Sequence, residues 1–511
     1  MSTLAGQHVL VLGLGASGLA LARWCDRCGA DVTVSDTRAN PPQLAALRGS
    51  LPRAVFVHAA MDAALFAAAQ YGLVLKSPGL SPAGVSGVID AAQAQGVAVG
   101  NELSVFADAL ADLKAAQAYC PQVIAITGTN GKTTVTSLTG QLVQRAGKTV
   151  AVAGNIGPTL LDTLTQHLDA LAQGHALPEV WVLELSSFQL DGVTNFEPTV
   201  ATVLNVTQDH LDWHGAFGAY AAAKARVYGQ RALMLMNRDD AQVMTAAPMS
   251  AKGRPLRPYL SFGGDAPERA GDYGIQTVNG VAWLARAAGA DETIKRRKNE
   301  DIGLHVQRLM PVQALRIRGR HNASNALAAL GLAVAAGCPL GLMLHGLRHY
   351  RGEPHRVQSV AVINDVEYFD DSKGTNIGAT AAALAGLGAD RRLVVILGGE
   401  GKGQDFSTLA APVLRYARAV VLIGRDAPLI RAALHAANGD AVLMLDADSM
   451  AHAVTLASRQ AQTGDAVLMS PACASFDMFR HYVHRGQAFC EATRLLAEQD
   501  YPIADSVEGG T

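Results

Sequence analysis

The apolar run Val123-Ile124-Ala125-Ile126 leads straight into Thr127-Gly128-Thr129-Asn130-Gly131-Lys132-Thr133-Thr134, and helix-forming sequence follows. A buried strand that breaks at glycines and restarts as a helix is the repeating unit of an α/β sheet. It also predicts a phosphate-binding loop, which makes ATP the first ligand to consider. Gly128 and Gly131 let backbone N–H groups approach phosphate oxygens, as do Thr129 and Asn130 between them. The helix start adds positive potential, Lys132 reaches the outer phosphates, and a threonine hydroxyl at Thr133 or Thr134 can ligate Mg2+. The usual G-x-x-x-x-G-K-[ST] spacing is broken, because Ile126 stands five residues before Gly131. A plain glycine turn with Lys132 on the surface is the competing reading.

The same layout occurs twice more. Near the N-terminus a strand over His8 to Leu12, a glycine turn, a helix to about Gly29 and a strand over Asp31 to Ser35 form a Rossmann-like unit. Its turn, Gly13-Leu14-Gly15-Ala16-Ser17-Gly18, fits G-x-G-x-x-G, and Asp36 lies where a ribose-binding carboxylate is expected. Taken alone this predicts a nicotinamide dehydrogenase. The glycines explain close approach of a diphosphate without identifying what the diphosphate carries. After the ATP loop, strands are expected at Thr149 to Ala153, Val180 to Leu185, Val200 to Val206 and Ala232 to Met236, giving a second, mostly parallel sheet. The pattern weakens between Ala246 and Met310, where the charged run Lys295 to Asp301 reads as a solvated insertion. A third doubly wound region carries strands at Leu393 to Leu397, Val420 to Ile423, Val442 to Leu445 and Ala466 to Met469. The expected division is 1–112, 113–352 and 353–511, in keeping with roughly 150 residues per domain.

Charge narrows the partners. With 42 Lys+Arg against 44 Asp+Glu, the net charge of −2 leaves no footprint for nucleic acid. The uncharged stretch Ala326 to Leu344 approaches membrane-spanning length but is broken by Gly331, Gly337, Pro339 and Gly341, so two short buried helices are expected and no membrane span. No export signal is legible at the N-terminus, which makes the cytoplasm the default. Six cysteines in 511 residues form no disulfide framework, and Cys25 and Cys28 lie on one expected helix.

Further segments join the ATP loop, and together they resemble the Mur ligase family, which adds amino acids to the peptidoglycan precursor using ATP. They are Gly154-Asn155-Ile156-Gly157, Glu184 to Leu190, Asn205 to Asp212, Gly319 to Ala326, Pro354-His355-Arg356 and Asp371 to Asn376. Ser35-Asp36-Thr37-Arg38, Lys76-Ser77-Pro78-Gly79-Leu80 and Ser470 to Asp477 look most like the D-glutamate-adding member. The resemblance implies three α/β domains: a Rossmann-like domain for the UDP end of the substrate, a P-loop ATPase-like domain, and a Rossmann-like C-terminal domain. It implies UDP-N-acetylmuramoyl-L-alanine, D-glutamate and ATP as substrates and a monomer. Rival readings are another amide ligase of this family, a folylpolyglutamate-type ligase, and the dehydrogenase.

Residue roles follow from the same resemblance. Gly15, Ser17, Gly18, Asp36, Thr37, Arg38 and Asn155 would hold the UDP substrate. Thr133 and Glu184 would stand at the nucleotide magnesium and His210 at a second one, with Lys224 matching a lysine that the family carries as a carbamate. Asn322 and Asn325 would flank adenine, while Asp371 would contact nucleotide. Arg356 and Lys373 match positive residues that face the transferring phosphate or the incoming amino acid. Thr375, Lys402, Ser475, Phe476 and Tyr482 complete the expected D-glutamate region. Glu400 stands where the family commonly has Asp, and Phe476 and Tyr482 replace a leucine and a phenylalanine of some relatives.

Overall fold

The computed structural model describes residues 4–248, 256–289, 304–437 and 441–500. Two compact units emerge, one of residues 1–310 with 325–347 and one of 311–324 with 348–511.

The first unit holds two sheets. Strands β1 (His8–Leu12), β2 (Asp31–Asp36), β3 (Val55–His58), β4 (Leu73–Lys76) and β5 (Ala98–Asn101) form a parallel sheet in the order β3-β2-β1-β4-β5. The order reverses between β1 and β4, so the crevice at their carboxyl ends is where a ligand fits an open α/β sheet. The turn after β1 is tight for a steric reason. A Cβ on Gly18 would stand 1.9 Å from the carbonyl oxygen of Gly13, so only glycine lets the helix Ala16–Arg27 start this close to the strand.

The second sheet contains β6 (Gln122–Thr127), β7 (Val150–Gly154), β8 (Val180–Glu184), β9 (Val200–Val203), β10 (Leu233–Asn237), β11 (Tyr259–Phe262), β12 (Tyr273–Val278), β13 (Val281–Ala288) and β14 (His305–Pro311). Its order is β14-β13-β12-β11-β10-β9-β6-β8-β7, parallel from β7 through β12 and antiparallel between β12 and β13. The weakly patterned stretch Ala246 to Met310, for which no strands were expected, is therefore corrected. Its described residues supply four strands of this sheet, and their short alternation around glycines hid them. The charged run Lys295 to Asp301 lies outside the described residues. Helices Ala16–Arg27, Glu102–Gln117 and Leu160–Ala172 pack between the two sheets, and one apolar core, with Val9, Trp24, Phe106, Leu164 and Trp181, runs through both. The helix Glu102–Gln117 is started by a capping box between Asn101 and Ser104. It runs across residue 112, the expected first boundary.

In the second unit, β15 (Gln358–Ile363), β16 (Val366–Asp370), β17 (Leu393–Gly398), β18 (Ala417–Ile423), β19 (Leu443–Asp446) and β20 (Ala466–Met469) are ordered β15-β16-β20-β17-β18-β19. All neighbours are parallel except the hairpin β15–β16, which the sequence reading did not include. The stretch expected as two short helices is helical at Arg320–Ala335 and Leu340–His349, with a break at Gly337. Among the described residues, no helix is long and apolar enough to cross a membrane.

Candidate active site

The loop after β6 has the conformation that phosphate binding needs. Gly128 (φ 155°) and Gly131 (φ 84°) take backbone angles that L side chains rarely adopt, and Gly131 caps the helix Lys132–Arg145. A Cβ on Gly131 would come within 2.8 Å of Asn325 Oδ1. The loop is strapped to the chain after β9. Asn205 Oδ1 accepts from Asn130 N at 2.8 Å and its Nδ2 donates to Asn130 O at 3.1 Å. Thr129 Oγ1 accepts from Thr207 N and lies 2.9 Å from the Tyr220 hydroxyl. Asn205 and Thr207 belong to a segment quoted above, but no individual role was read for them; Tyr220 was missed.

Two lysines converge on this loop. Lys132 Nζ donates to the carbonyls of Gly128 (2.8 Å) and Thr129 (2.9 Å), and Lys224 Nζ donates to the same Gly128 carbonyl at 2.8 Å. Lys224 is almost wholly buried, 2% exposed, with its ammonium 4.6 Å from the Tyr220 ring centroid. Burial, reinforced by the charge of Lys132 and opposed by Asp209, holds its pKa well below that of an ordinary lysine. An amine that loses its proton readily is the chemical requirement for reaction with CO2.

Glu184 ends β8 and is buried. Oε1 accepts from Asn155 Nδ2 at 2.7 Å, while Oε2 is buried without a hydrogen-bond partner. An ionised oxygen left so is costly unless a cation meets it. That donor set fits a hard divalent cation, and Thr133, in the first turn of the loop helix, supplies a hydroxyl of the right kind. Among the described residues no three His, Cys, Asp or Glu side chains gather into a metal shell, so phosphate and water oxygens would have to complete the coordination, as Mg2+ commonly requires. His210 sits at φ 52° with its ring 4.7 Å from that of Phe188. Burial lowers its pKa, with Asp209 acting against this and Lys132 and Lys224 adding to it. A lowered pKa favours the neutral imidazole, the form that can bind a metal.

At the first sheet, Asp36 is fully engaged. Oδ1 accepts from Arg38 N (2.9 Å) and Nε (2.8 Å), and Oδ2 accepts from Leu14 N and Arg38 Nη2, both at 2.8 Å. Its pKa falls to about 2, chiefly through Arg38. No lone pair remains for a ribose diol, which removes the structural basis of the dehydrogenase reading. The carboxylate instead aims Arg38, 54% exposed, and ties it to the glycine turn. Thr37 is exposed beside it, and Gly15 has open space around its Cα. Ser17 hydrogen-bonds the buried Glu102, whose carboxyl burial pushes up in pKa.

In the second unit, Asp371 is buried, accepting from Ser470 Oγ at 2.6 Å and Val357 N at 3.2 Å. Burial pushes its pKa to about 7, with Ser470 and the charge of Arg356 opposing. Lys373 places Nζ 4.0 Å from the Tyr482 ring centroid, and Thr375 N donates to the carbonyl of Lys373. Lys402, at φ 52°, lies 5.6 Å from the ring centroid of Phe476, which is 63% exposed. Ser475 is buried. Glu400 pairs through its backbone with Ala474, and its carboxylate lies 3.3 Å from Arg425. Arg485, which no sequence motif marks, is a buried guanidinium donating to the carbonyls of Ser372, Cys473 and Ala474, and it ties two of these segments together. Asn322 donates to the Arg318 carbonyl and belongs to this unit, whereas Asn325 belongs to the first.

Residues 7–101 match the Mur ligase MurD-like N-terminal domain, 126–333 the Mur ligase middle domain, and 355–473 the Mur ligase glutamate ligase domain. The chain is 64% identical to a UDP-N-acetylmuramoylalanine–D-glutamate ligase from Albidiferax ferrireducens, over 97% of this chain and 98% of the relative. To the enzyme of that name from Ralstonia nicotianae it is 54% identical, with 97% and 98% covered. Among solved structures, the fold is similar to that of MurF ligase from Thermotoga maritima in complex with ADP, at a TM-score of 0.55 and 15% identity over 97% of this chain and 96% of that one. UDP-N-acetylmuramate-alanine ligase MurC of the same organism gives a TM-score of 0.52 at 19% identity, over 96% and 100%.

Proposed function

The chain belongs to the Mur ligase family, and from that premise we propose that it joins D-glutamate to UDP-N-acetylmuramoyl-L-alanine with ATP, in the assembly of the peptidoglycan precursor. The observation that carries this is the identity of 54–64% across nearly the whole chain to ligases of that name. A carboxylate resists attack by an amine because oxide is a poor leaving group. Transfer of the γ-phosphoryl to the L-alanine carboxylate gives an acyl phosphate, the D-glutamate amine adds to its carbonyl carbon, and the tetrahedral intermediate expels phosphate.

The chain's own residues suit these steps. The loop N–H groups and Lys132 cradle and neutralise the triphosphate, against which an anionic carboxylate must be brought. Asn155 holds one oxygen of Glu184 and so orients the other. Glu184 and Thr133 would hold the nucleotide Mg2+ and His210 would help hold a second, supplying positive charge against the triphosphate and the reacting carboxylate. Lys224 is suited to carry a carbamate, which would replace a cation beside Gly128 by an anionic oxygen ligand. Arg38 and the glycine turn serve the UDP end, and Lys373, Thr375, Lys402, Ser475, Phe476 and Tyr482 serve D-glutamate, with Arg356 and Asp371 toward the nucleotide. We assign three domains to these tasks, the expected 1–112, 113–352 and 353–511 with the first boundary moved past the end of the helix Glu102–Gln117. The substrates favour a cytoplasmic enzyme, and one chain carries every assigned group, as a monomer would. Phosphate release measured with UDP-N-acetylmuramoyl-L-alanine and a panel of D- and L-amino acids tests the reading. Release dependent on D-glutamate is expected, and equal release with other amino acids would overturn it.

A further inference from the structure

Lys76 and Asn101 are register partners at the carboxyl ends of β4 and β5, and the ligation chemistry gives neither a task. Both reach the second sheet's catalytic segments. Asn101 Nδ2 donates to the carbonyls of Gln189 (3.0 Å) and Asp191 (3.4 Å), in the stretch that follows Glu184. The Lys76 ammonium lies 3.7 Å from Asp191 Oδ2 and 4.9 Å from the ring centroid of Trp213, in the turn that follows His210. With 11% of its side chain exposed, this charge is largely withdrawn from water, and burial lowers its pKa against the pull of Asp191. A site that keeps a lysine there holds it by the carboxylate and the ring face together.

From Trp213 the contacts run without a gap to the ATP loop. Its ring lies 4.6 Å from Phe188 and 4.4 Å from His214, and Phe188 packs on His210. His214 Nε2 lies 2.9 Å from Ser187 Oγ and its ring 5.3 Å from Tyr220. Tyr220 in turn meets Thr129 of the loop and the Lys224 ammonium.

We propose that Lys76 is a positioning residue for ligation: clamped between Asp191 and Trp213, it fixes the His210–His214 turn against the Glu184 segment and couples the first sheet's substrate crevice to the ATP loop. The proposal rests on the ligation reading above. An ion link that merely stiffened the packing of the two sheets would change stability and leave turnover per folded molecule intact. Positioning predicts the opposite pattern.

The test uses the full-length enzyme with Lys76→Met, Lys76→Arg, Trp213→Leu and the double variant Lys76→Met/Trp213→Leu, measuring kcat, each KM and the thermal midpoint. Lys76→Met should lower kcat at least tenfold while the KM values for ATP and the UDP substrate stay within threefold. Lys76→Arg, which preserves both the ion pair and the ring contact, should recover part of that loss. Trp213→Leu should resemble Lys76→Met, and the double variant should be no slower than the slower single one. A kcat for Lys76→Met within twofold of wild type overturns the proposal. So does a loss confined to the KM of the UDP substrate, which would make Lys76 a direct ligand contact. If Lys76→Met does not fold, Lys76→Arg and Trp213→Leu decide: full wild-type kcat in Trp213→Leu overturns the coupling. A wild-type protein inactive with D-glutamate would instead sink the ligation reading, and this inference with it.

Discussion

Asp36→Asn removes one negative charge from the ion pair between Asp36 and Arg38 at the carboxyl end of β2, and its effect can be worked through. The carboxylate accepts four hydrogen bonds, three of them from Arg38, and its pKa drops from 3.8 to about 2. At 1.36 kcal/mol per pH unit that difference corresponds to roughly 2.4 kcal/mol. Because Arg38 leaves 54% of its side chain in water, screening reduces the expected contribution to about 1–2 kcal/mol. The sign follows from the lowered pKa. Above the unfolded value near 4 the carboxylate is ionised in both states and the stabilisation is complete, and it is lost as pH falls toward about 2. Denaturant unfolding should therefore find Asp36→Asn about 1–2 kcal/mol less stable at pH 7, with the gap to wild type closing below pH 4. Since Asp36 aims Arg38, the variant should also bind the UDP substrate more weakly while its affinity for an ATP analogue is unchanged. Equal stability at pH 7, or a gap that persists unaltered to pH 2.5, would refute the electrostatic account.

Lys132→Ala should fold normally and lose on the order of 10²–10³ in phosphoryl-transfer rate, as deletion of one preorganised donor to a charged transition state does; near-normal turnover at saturating ATP would reject the role. Lys224→Ala should lose acyl phosphate formation more than ATP binding, and intact-mass analysis of wild type under CO2 should find the carbamate mass on Lys224. A complete, active ligand complex with unmodified Lys224 would exclude that chemistry. Lys373→Ala should raise the D-glutamate requirement by the equivalent of roughly 2–5 kcal/mol while isotope exchange still reports acyl phosphate formation. Unchanged D-glutamate dependence would show that the amino-acid site lies elsewhere.

What could be read beforehand followed burial. The strands β1, β6, β8 and β20 are continuous apolar runs buried on both faces, and their expected ends agree with the structure to within a residue or so. Strands β11 to β14 carry polar and glycine residues because one edge of the sheet meets solvent there, so the apolar pattern weakens and no strands were expected. Hairpin β15–β16 was overlooked because its apolar runs are short: Val362 is exposed, and Asn364 and Asp365 break the run at the turn. For the site, glycine spacing pointed to the phosphate loop and a strand end to Glu184, whereas Lys224 was implied only by the family resemblance. Geometry between distant segments was invisible. Nothing near Asp36 in sequence announces that Leu14 N–H and Arg38 consume both its oxygens, and nothing near Arg485 says that it anchors the carbonyls of Ser372 and Cys473.

The strand order of the second sheet also has a consequence during synthesis. The strand carrying the ATP loop, β6, lies between β8 and β9, and its neighbour for Ile126 on one side is Thr202. A ribosome must add 76 residues after Ile126 before that partner exists, on the order of 4–15 s at 5–20 residues per second. Through that interval Ile124, Ala125 and Ile126, wholly enclosed in the finished protein, lack the β9 flank, and until Glu184 is added they lack β8 as well. The nascent chain thus leaves the apolar strand that enters the nucleotide loop unpaired on one side after the first sheet, residues 8–101, has all its strands.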